Sequence, residues 1–263
     1  MEGLERHLAH QLEHGRSFFW HRLRWRAVAG WLPDEPFVLV DVGAGIGLIG
    51  EFLRSERPAA RYRFVEPIAF LEEDLVRRFG AEANARDEAV YSGARFVTLL
   101  DVLEHQADDR AFMAALAGRL EPGTTLLVTV PAGGYLWSGW DAALGHHRRY
   151  DRPALRRAVA GLPLEVVELS YLFPELVPLA LLRKATRRGT TDAVEFPELA
   201  APVNAALLAA GRVSLPLRRL APLGTFEDKV PAEIKALVKS REAEIREGMY
   251  RVNVNDSEPR SSM

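Results

Sequence analysis

Between residues 36 and 172 short apolar runs alternate with longer stretches whose apolar residues recur at helical spacing, the pattern of a βαβ succession. Phe37, Val38, Leu39 and Val40 form an unalternated run closed by Asp41, as expected of a central parallel strand buried on both faces. Leu48 to Arg54 reads as the following helix, and Tyr62 to Val65 as a second strand ending at Glu66. Arg95 to Leu100 reads as a strand ending at Asp101. Residues 108–120 read as an amphipathic helix with Phe112, Leu116 and Leu120 on one face, stopped by Glu121-Pro122-Gly123. Thr124 to Val130 and Leu164 to Leu172 give two more strands, whereas residues 81–94, where another strand is due, carry no strong apolar run. Right-handed crossovers then predict a mostly parallel sheet with helices on both faces.

Outside this core the pattern changes. Residues 1–33 predict a helical cap, with Leu4, Leu8 and Leu12 at helical spacing before the aromatics Phe18, Phe19, Trp20, Trp25 and Trp31. Residues 34–172 are the core, and residues 173–226 are rich in Leu, Ala and Pro and read as a helical lid or dimer contact. Residues 227–263 read as a charged helix over 231–248 followed by a polar tail. The last strand of such a sheet is hard to find, and Leu223-Gly224-Thr225-Phe226 is the one short candidate.

Candidate chemistry begins at FVLVDVGAGIGLIG, residues 37 to 50. Gly43, Gly45 and Gly47 give a turn without Cβ atoms, where a ligand can approach the main chain. Gly45, Gly47 and Gly50 fit the dinucleotide fingerprint G-x-G-x-x-G, whereas Gly43, Gly45 and Gly47 preceded by Asp41 fit G-x-G-x-G placed directly after the strand. Glu66 lies nineteen residues after Gly47, and an acid at that distance can accept hydrogen bonds from both ribose hydroxyls.

Together with the block RFVTLLDVLEHQADDRAFMAALAGRLEPGTTLLVTVPA, the second reading resembles the class I S-adenosylmethionine-dependent methyltransferases. Strand, acid, "VLEH", helix, "L-x-P-G" and strand follow in the family's order and spacing. The resemblance implies a Rossmann-like α/β fold with a seven-strand-type sheet, and S-adenosyl-L-methionine as cofactor, leaving as S-adenosyl-L-homocysteine. It further implies a cofactor site drawn from Asp41, Gly43, Ala44, Gly45, Gly47, Glu66, Pro67, Leu100, Asp101 and Val102, with Asp87 near the adenine amino group if it ends the missing strand. In that family the helical N-terminal cap commonly covers the substrate side, which would bring Trp20 to the acceptor; the alternative is that these aromatics only pack the helix onto the sheet.

The segment GGYLWSGWDAALGHHRRYDRPALRRAV, residues 133–159, leaves the strand before it at the edge where open α/β sheets bind ligands. Tyr135, Trp137, Trp140, Asp141, His146, His147, Arg148, Arg149 and Tyr150 crowd there, a set suited to a polar or anionic acceptor. It resembles the "L-W-S-x-x-D-x-x-x-G-H-x-R-R-Y" segment of one bacterial branch of the family, whose members often sit near glycan or natural-product pathways. If the acceptor is a hydroxyl, His105, His146 and His147 are the candidate bases, because imidazole titrates near neutrality.

Composition narrows the classes. A net charge of −2 over 263 residues gives no general attraction to nucleic acid. There is no cysteine for disulfides or thiolate metal sites, and no compact acid and histidine cluster with ligand spacing, so no metal is expected. The opening residues are charged and lack the apolar stretch of a signal peptide, which makes cytoplasmic the default expectation. The apolar run near residue 178 is too interrupted to span a bilayer but is compatible with a peripheral membrane contact. The expectation is thus a monomeric or homodimeric methyltransferase acting at oxygen on a small molecule. The alternatives are an NAD(P)-dependent oxidoreductase using the Gly45, Gly47 and Gly50 spacing, and a non-catalytic cofactor-binding protein.

Overall fold

A computed structural model describes residues 8–9, 11–12, 18–84, 88–172, 200–220 and 247–254. Its elements are α1 (Phe19–Ala29), β1 (Val38–Val42), α2 (Leu48–Glu56), β2 (Arg61–Val65), α3 (Ala69–Phe79), β3 (Phe96–Leu100), α4 (Asp109–Ala117), β4 (Thr125–Val130), α5 (Gly139–Ala143), α6 (Arg152–Val159), β5 (Leu164–Leu172), α7 (Ala201–Leu220) and β6 (Glu247–Val254). The strands form one six-stranded sheet in the order β2-β1-β3-β4-β6-β5. The pairs β1 with β2, β1 with β3, and β3 with β4 are parallel, so the carboxyl ends of these four strands share one edge.

Apolar, β-branched strand sequences put the core at the centre of this sheet. Leu39, Val40, Val97, Leu99, Leu126 and Leu127 are buried, which matches the unalternated runs in the sequence. The helix after β3 is fixed at its start by Asp108, whose side chain accepts a 2.8 Å hydrogen bond from the Ala111 amide. Its buried stripe is Met113, Leu116 and Ala117; the expected Phe112 is only half-buried at the margin.

Three sequence expectations shift. Asp41 does not close β1 but lies inside it, since the strand runs on to Val42. The strand due within residues 81–94 is reduced to two 3-10 turns, Ala81–Ala83 and Glu88–Tyr91, and a single parallel bridge from Phe64 to Asn84. Such a segment has no apolar run to cover, which is why β2 stands next to the edge bridge rather than next to a full strand. The strand that completes the sheet is Glu247–Val254, where the sequence pattern predicts the end of a charged helix and the start of the tail. Its period-2 alternation, Tyr250, Val252 and Val254 against Arg251 and Asn253, is the signal that marks a strand there. The candidate at Leu223 to Phe226 and most of the expected charged helix lie outside the described residues.

Contacts divide the chain into two compact units. One, covering residues 31–130, 152–169 and those from 249 on, holds most of the sheet. The other draws on residues before 31, on 131–151 and on the stretch from 170 to 248. In the second unit α1 packs on α7. The Phe19 amide at the start of α1 donates to Asn204 Oδ1 at 2.8 Å, which supplies the cap that Phe18 cannot provide. Gly211 lets the two helices close, because a Cβ there would stand 2.2 Å from Leu23 Cδ1. Among the described residues no helix is long and apolar enough to cross a membrane.

Candidate functional site

At the carboxyl end of β1 the chain turns through Gly43, Gly45 and Gly47, all at positive φ (69°, 55° and 71°), a region that residues with side chains rarely enter. The turn is tied down one peptide at a time. Gly43 and Ala44 amides donate to the Val65 carbonyl at 2.8 and 3.3 Å, and the Gly47 amide donates to the Ala44 carbonyl at 2.9 Å. The Gly45 amide donates to Glu66 Oε2 at 2.7 Å. Gly50 serves packing instead. A Cβ on it would lie 2.6 Å from Tyr62 Cε1 and 2.7 Å from the Phe79 ring, so its bare backbone lets α2 close against β2 and α3.

Glu66 follows β2 and is only 8% exposed. Its other oxygen accepts from the Ile68 amide at 2.9 Å, at the start of α3. Burial is the largest influence on this carboxyl and raises its pKa, aided by the nearby Asp41 and Glu72, and the two amides only partly oppose that. A carboxylate has about four acceptor positions, so two amide bonds leave capacity for two hydroxyl donors. Pro67 is exposed beside it.

Asp41 is buried within β1 and turned onto its neighbours. Thr98 of β3 donates to Oδ1 at 2.6 Å and the Tyr62 phenol of β2 donates to Oδ2 at 3.1 Å. Burial and the adjacent Asp41 carboxylate push the Tyr62 phenol well above its ordinary value, so it stays a donor. The acid therefore stitches three strands together directly under the glycine turn.

After Leu100 the chain kinks at Asp101, the one described residue other than glycine at positive φ (59°). Two bonds to Thr129 of β4 hold the kink: Asp101 N–H donates to the Thr129 carbonyl at 3.0 Å, and Thr129 Oγ1 donates to Asp101 Oδ1 at 3.1 Å. The kink sends Val102 toward the turn, where a Cβ on Gly43 would lie 2.6 Å from Val102 Cγ2. Glycine turn, Glu66, Asp101 and Val102 thus meet at one sheet edge. His105 closes the 3-10 turn Leu103–His105, with its amide on the Val102 carbonyl at 3.1 Å. Asp87 lies outside the described residues.

The segment from Pro131 to Asp151 belongs to the other unit and is organised by itself. Its ends are bridged, with the Tyr150 amide on the Pro131 carbonyl at 2.8 Å and the Gly133 amide on the Tyr150 carbonyl at 3.0 Å. At its centre Asp141 is fully buried. The carboxylate accepts from the Ser138 amide at 2.9 Å and the Ser138 hydroxyl at 3.3 Å, a capping box that starts α5. It also meets His146 Nδ1 at 3.0 Å and Arg149 Nε at 2.8 Å. Burial acts to raise the Asp141 pKa, but the hydrogen bonds from His146, Arg149 and Ser138 and the guanidinium charge outweigh it and hold the value below the ordinary one. Arg149 further donates to the Ala132 carbonyl at 3.2 Å.

The residues expected around the acceptor are thereby sorted. Asp141 and Tyr150 are buried, and Arg149 is turned onto Asp141 and the Ala132 carbonyl. Tyr135, Trp140, His146 and Arg148 are partly exposed, and Trp137 and His147 are exposed. Trp20 on α1 is partly exposed, its ring edge-on to Phe19 at 6.5 Å.

Sequence reasoning passes over Thr98, Thr129 and Arg78. The two threonines are polar interruptions in otherwise apolar strands, Phe-Val-Thr-Leu-Leu and Leu-Val-Thr-Val, a detectable signal. Arg78 follows Arg77 at a helix end and looks like a solvated charge, but it donates to the Ile46 carbonyl of the glycine turn at 2.7 Å.

A parallel sheet with a glycine turn after β1, a buried acid after β2 and an acid at the end of β3 defines the class I, Rossmann-like methyltransferase fold. The sequence pattern of the methyltransferase-domain family matches residues 4–169, and the chain belongs to that family: it is an S-adenosylmethionine-dependent methyltransferase. No protein of curated function matches it in sequence. Among solved structures it is similar to a chain of the complex between the Haloferax volcanii Trm112 methyltransferase activator and its methyltransferase (14% identity, TM-score 0.56, covering 97% of this chain and 96% of that one). It is also similar to Haemonchus contortus phosphoethanolamine N-methyltransferase 2 in complex with S-adenosyl-L-methionine (13%, 0.52, 88% of this chain and 52% of that one). A third is Streptomyces coelicolor geranyl diphosphate C-methyltransferase with Mg2+, geranyl diphosphate and S-adenosyl-L-homocysteine (12%, 0.52, 88% and 78%). The family match is what sets the nicotinamide alternative aside, since close packing at Gly50 would suit either glycine pattern.

Proposed function

We propose that this methyltransferase acts on a hydroxyl of a small-molecule acceptor, with its cofactor seated on the Gly43 to Gly47 turn. Glu66 takes the ribose hydroxyls, Ala44, Pro67, Leu100 and Val102 line the site, and Asp101, fixed by Thr129, borders the reacting end. Asp41 acts from beneath, by holding the strands that carry the turn. Asp87 is proposed beside the adenine.

The cofactor supplies an activated methyl group. What remains for the protein is alignment, which is worth on the order of 7–11 kcal/mol, and removal of the acceptor's proton, worth roughly 10²–10⁴-fold. The observation that carries the hydroxyl reading is the 3.0 Å contact between Asp141 and His146 Nδ1. A buried carboxylate held ionised keeps the proton on Nδ1, so Nε2 is the nitrogen that accepts one. Arg149 shares that carboxylate, donating to the same Oδ1 from Nε at 2.8 Å, and so helps to fix the acid against which the imidazole is held. His105 and His147 are the other histidines proposed near the reaction, while Trp20, Tyr135, Trp137, Trp140, Arg148 and Tyr150 shape acceptor recognition directly or by holding the segment. The glycan and natural-product setting of the resembling branch favours polyhydroxylated acceptors. Two of the similar structures are named as an N-methyltransferase and a C-methyltransferase, so the choice of oxygen rests on the Asp141 and His146 pair and not on them.

The test is incubation with S-adenosylmethionine and a panel of hydroxyl, amine and carboxylate compounds, with products read by mass. Transfer to oxygen that falls in His146→Ala supports the proposal. Transfer to an amine that is indifferent to His146 refutes it.

A further inference from the structure

We infer that Arg78, far from the glycine turn in sequence, is a positioning residue for the cofactor: it fixes the outer peptide of the turn. The inference rests on the reading that this turn seats S-adenosylmethionine.

Two peptide groups of the turn are pinned at both ends. In the Ala44–Gly45 peptide the carbonyl accepts from the Gly47 amide at 2.9 Å and the N–H donates to Glu66 at 2.7 Å. In the Ile46–Gly47 peptide the N–H makes that same bond to Ala44, while the carbonyl accepts from Arg78 Nη2 at 2.7 Å. Without the guanidinium this second peptide is held at one end only. Gly47 sits at φ 71° and ψ 27°, and a glycine there offers little resistance to rotation of the peptide plane. Such a rotation would swing the Ile46 carbonyl and move the Gly47 amide off Ala44, which loosens the peptide that Glu66 holds.

Arg78 is built to prevent this. Its side chain is 18% exposed and meets a carbonyl and two carboxylates, two of them through hydrogen bonds and the third as an ion pair. Nη1 donates to Glu51 in the first turn of α2 at 2.7 Å, and Nε lies 2.7 Å from Asp74 Oδ2 one turn earlier in α3. Its own carbonyl accepts from Arg54 Nη2 at 2.6 Å, and both guanidinium groups lie over the Phe79 ring. A Cβ on Gly47 would stand 2.3 Å from Leu75 Cδ2 and 3.1 Å from both Arg78 Nη2 and Phe79 Cε2, so the guanidinium shares the space behind the turn with these two side chains. Two carboxylates already balance its charge. What it supplies is therefore geometry, a planar fork that reaches a carbonyl and two acids together, which an ammonium group cannot reproduce.

The experiment is calorimetric titration with S-adenosylhomocysteine of the full chain, Arg78→Met, Arg78→Lys and Asp74→Asn, with Tm recorded for each. Expected is a loss of affinity of about tenfold to a hundredfold in Arg78→Met, with Arg78→Lys failing to recover it. Asp74→Asn, which spares the bond to Ile46, should bind within about threefold of the parent. Parent affinity in Arg78→Met, or in Arg78→Lys should the methionine variant not fold, would overturn the inference and leave Arg78 a stability residue. Absence of binding by the parent chain would instead sink the placement of the cofactor.

Discussion

The Gly45 amide and the Glu66 carboxylate, 21 residues apart, are joined by a 2.7 Å hydrogen bond that links the end of β1 to the end of β2. Glu66 thereby shapes the turn and presents its remaining acceptor positions to the same ligand. Replacing it with Gln keeps the size, removes the charge and turns a donor toward one of the two amides. Charge-assisted bonds of this kind are worth about 1.5–3 kcal/mol, so Glu66→Gln is expected to weaken S-adenosylhomocysteine binding about tenfold to a hundredfold by calorimetry.

Burial raises the Glu66 pKa, which gives the pH dependence a definite sign. The folded state favours the protonated acid, so this group's stabilising contribution is complete below the ordinary carboxylate value and is lost as pH rises through the raised one. Hydroxyl donors favour the ionised form, so cofactor affinity should run the opposite way and fall as pH drops through that raised value. Titrations at several pH values check both: Glu66→Gln should flatten the affinity profile, and an unchanged profile would assign the dependence elsewhere.

Gly43 combines φ 69° with Val102 Cγ2 at 2.6 Å from any Cβ placed on it. Gly43→Ala must therefore adopt a strained backbone and push back the Val102 side chain, a cost of about 1–3 kcal/mol. Loss of cofactor binding with a Tm lowered by several degrees is the expected result. Gly45→Val, at φ 55°, should likewise abolish binding, and retained affinity there would misplace the site.

Asp141 is the keystone of its segment, and removing a buried partner of this kind typically costs about 3–5 kcal/mol. Asp141→Ala is expected to lower Tm strongly and to raise amide exchange over residues 138–149, whereas Asp141→Asn should be milder. Because its pKa is lowered, the contribution of Asp141 is present above the ordinary carboxylate value and fades as pH falls through the lowered one. An acid-denaturation midpoint that does not move in Asp141→Asn would contradict this.

Turnover should separate the histidines. With an acceptor in hand, His146→Ala is expected to lose roughly 10²–10⁴-fold in kcat with cofactor affinity intact. His147→Ala, at an exposed position, should also spare binding and lower turnover by less. Equal losses in the two variants would mean that Asp141 does not select the base.

Much of the sheet is legible in the sequence because its strands are buried on both faces and show as plain apolar runs. β1, β3 and β4 fall within a residue or two of their predicted ends. The glycine turn and Glu66 are legible because their spacing is fixed by one strand, one turn and one helix. What escapes has physical causes. Residues 81–94 carry too little apolar surface for a strand and keep only the bridge at Asn84. β6 lies far along the sequence, and its alternation is masked by the charged stretch before it. Asp141 and Arg149 read as surface chemistry because sequence does not show that they neutralise one another in a buried place, and Arg78 escapes for the same reason.

The position of β6 between β4 and β5 sets an order on the making of this protein. β5 is translated first, yet the strand that joins it to β4 arrives roughly seventy residues later, about 4–15 s at ordinary synthesis rates. Through that interval β2, β1, β3 and β4 can pair, while an open strand edge at β4 waits for its neighbour. The nascent chain therefore carries an aggregation-prone edge whose protection depends on a segment still to be made, and a fusion or deletion near residue 247 would prolong that exposure.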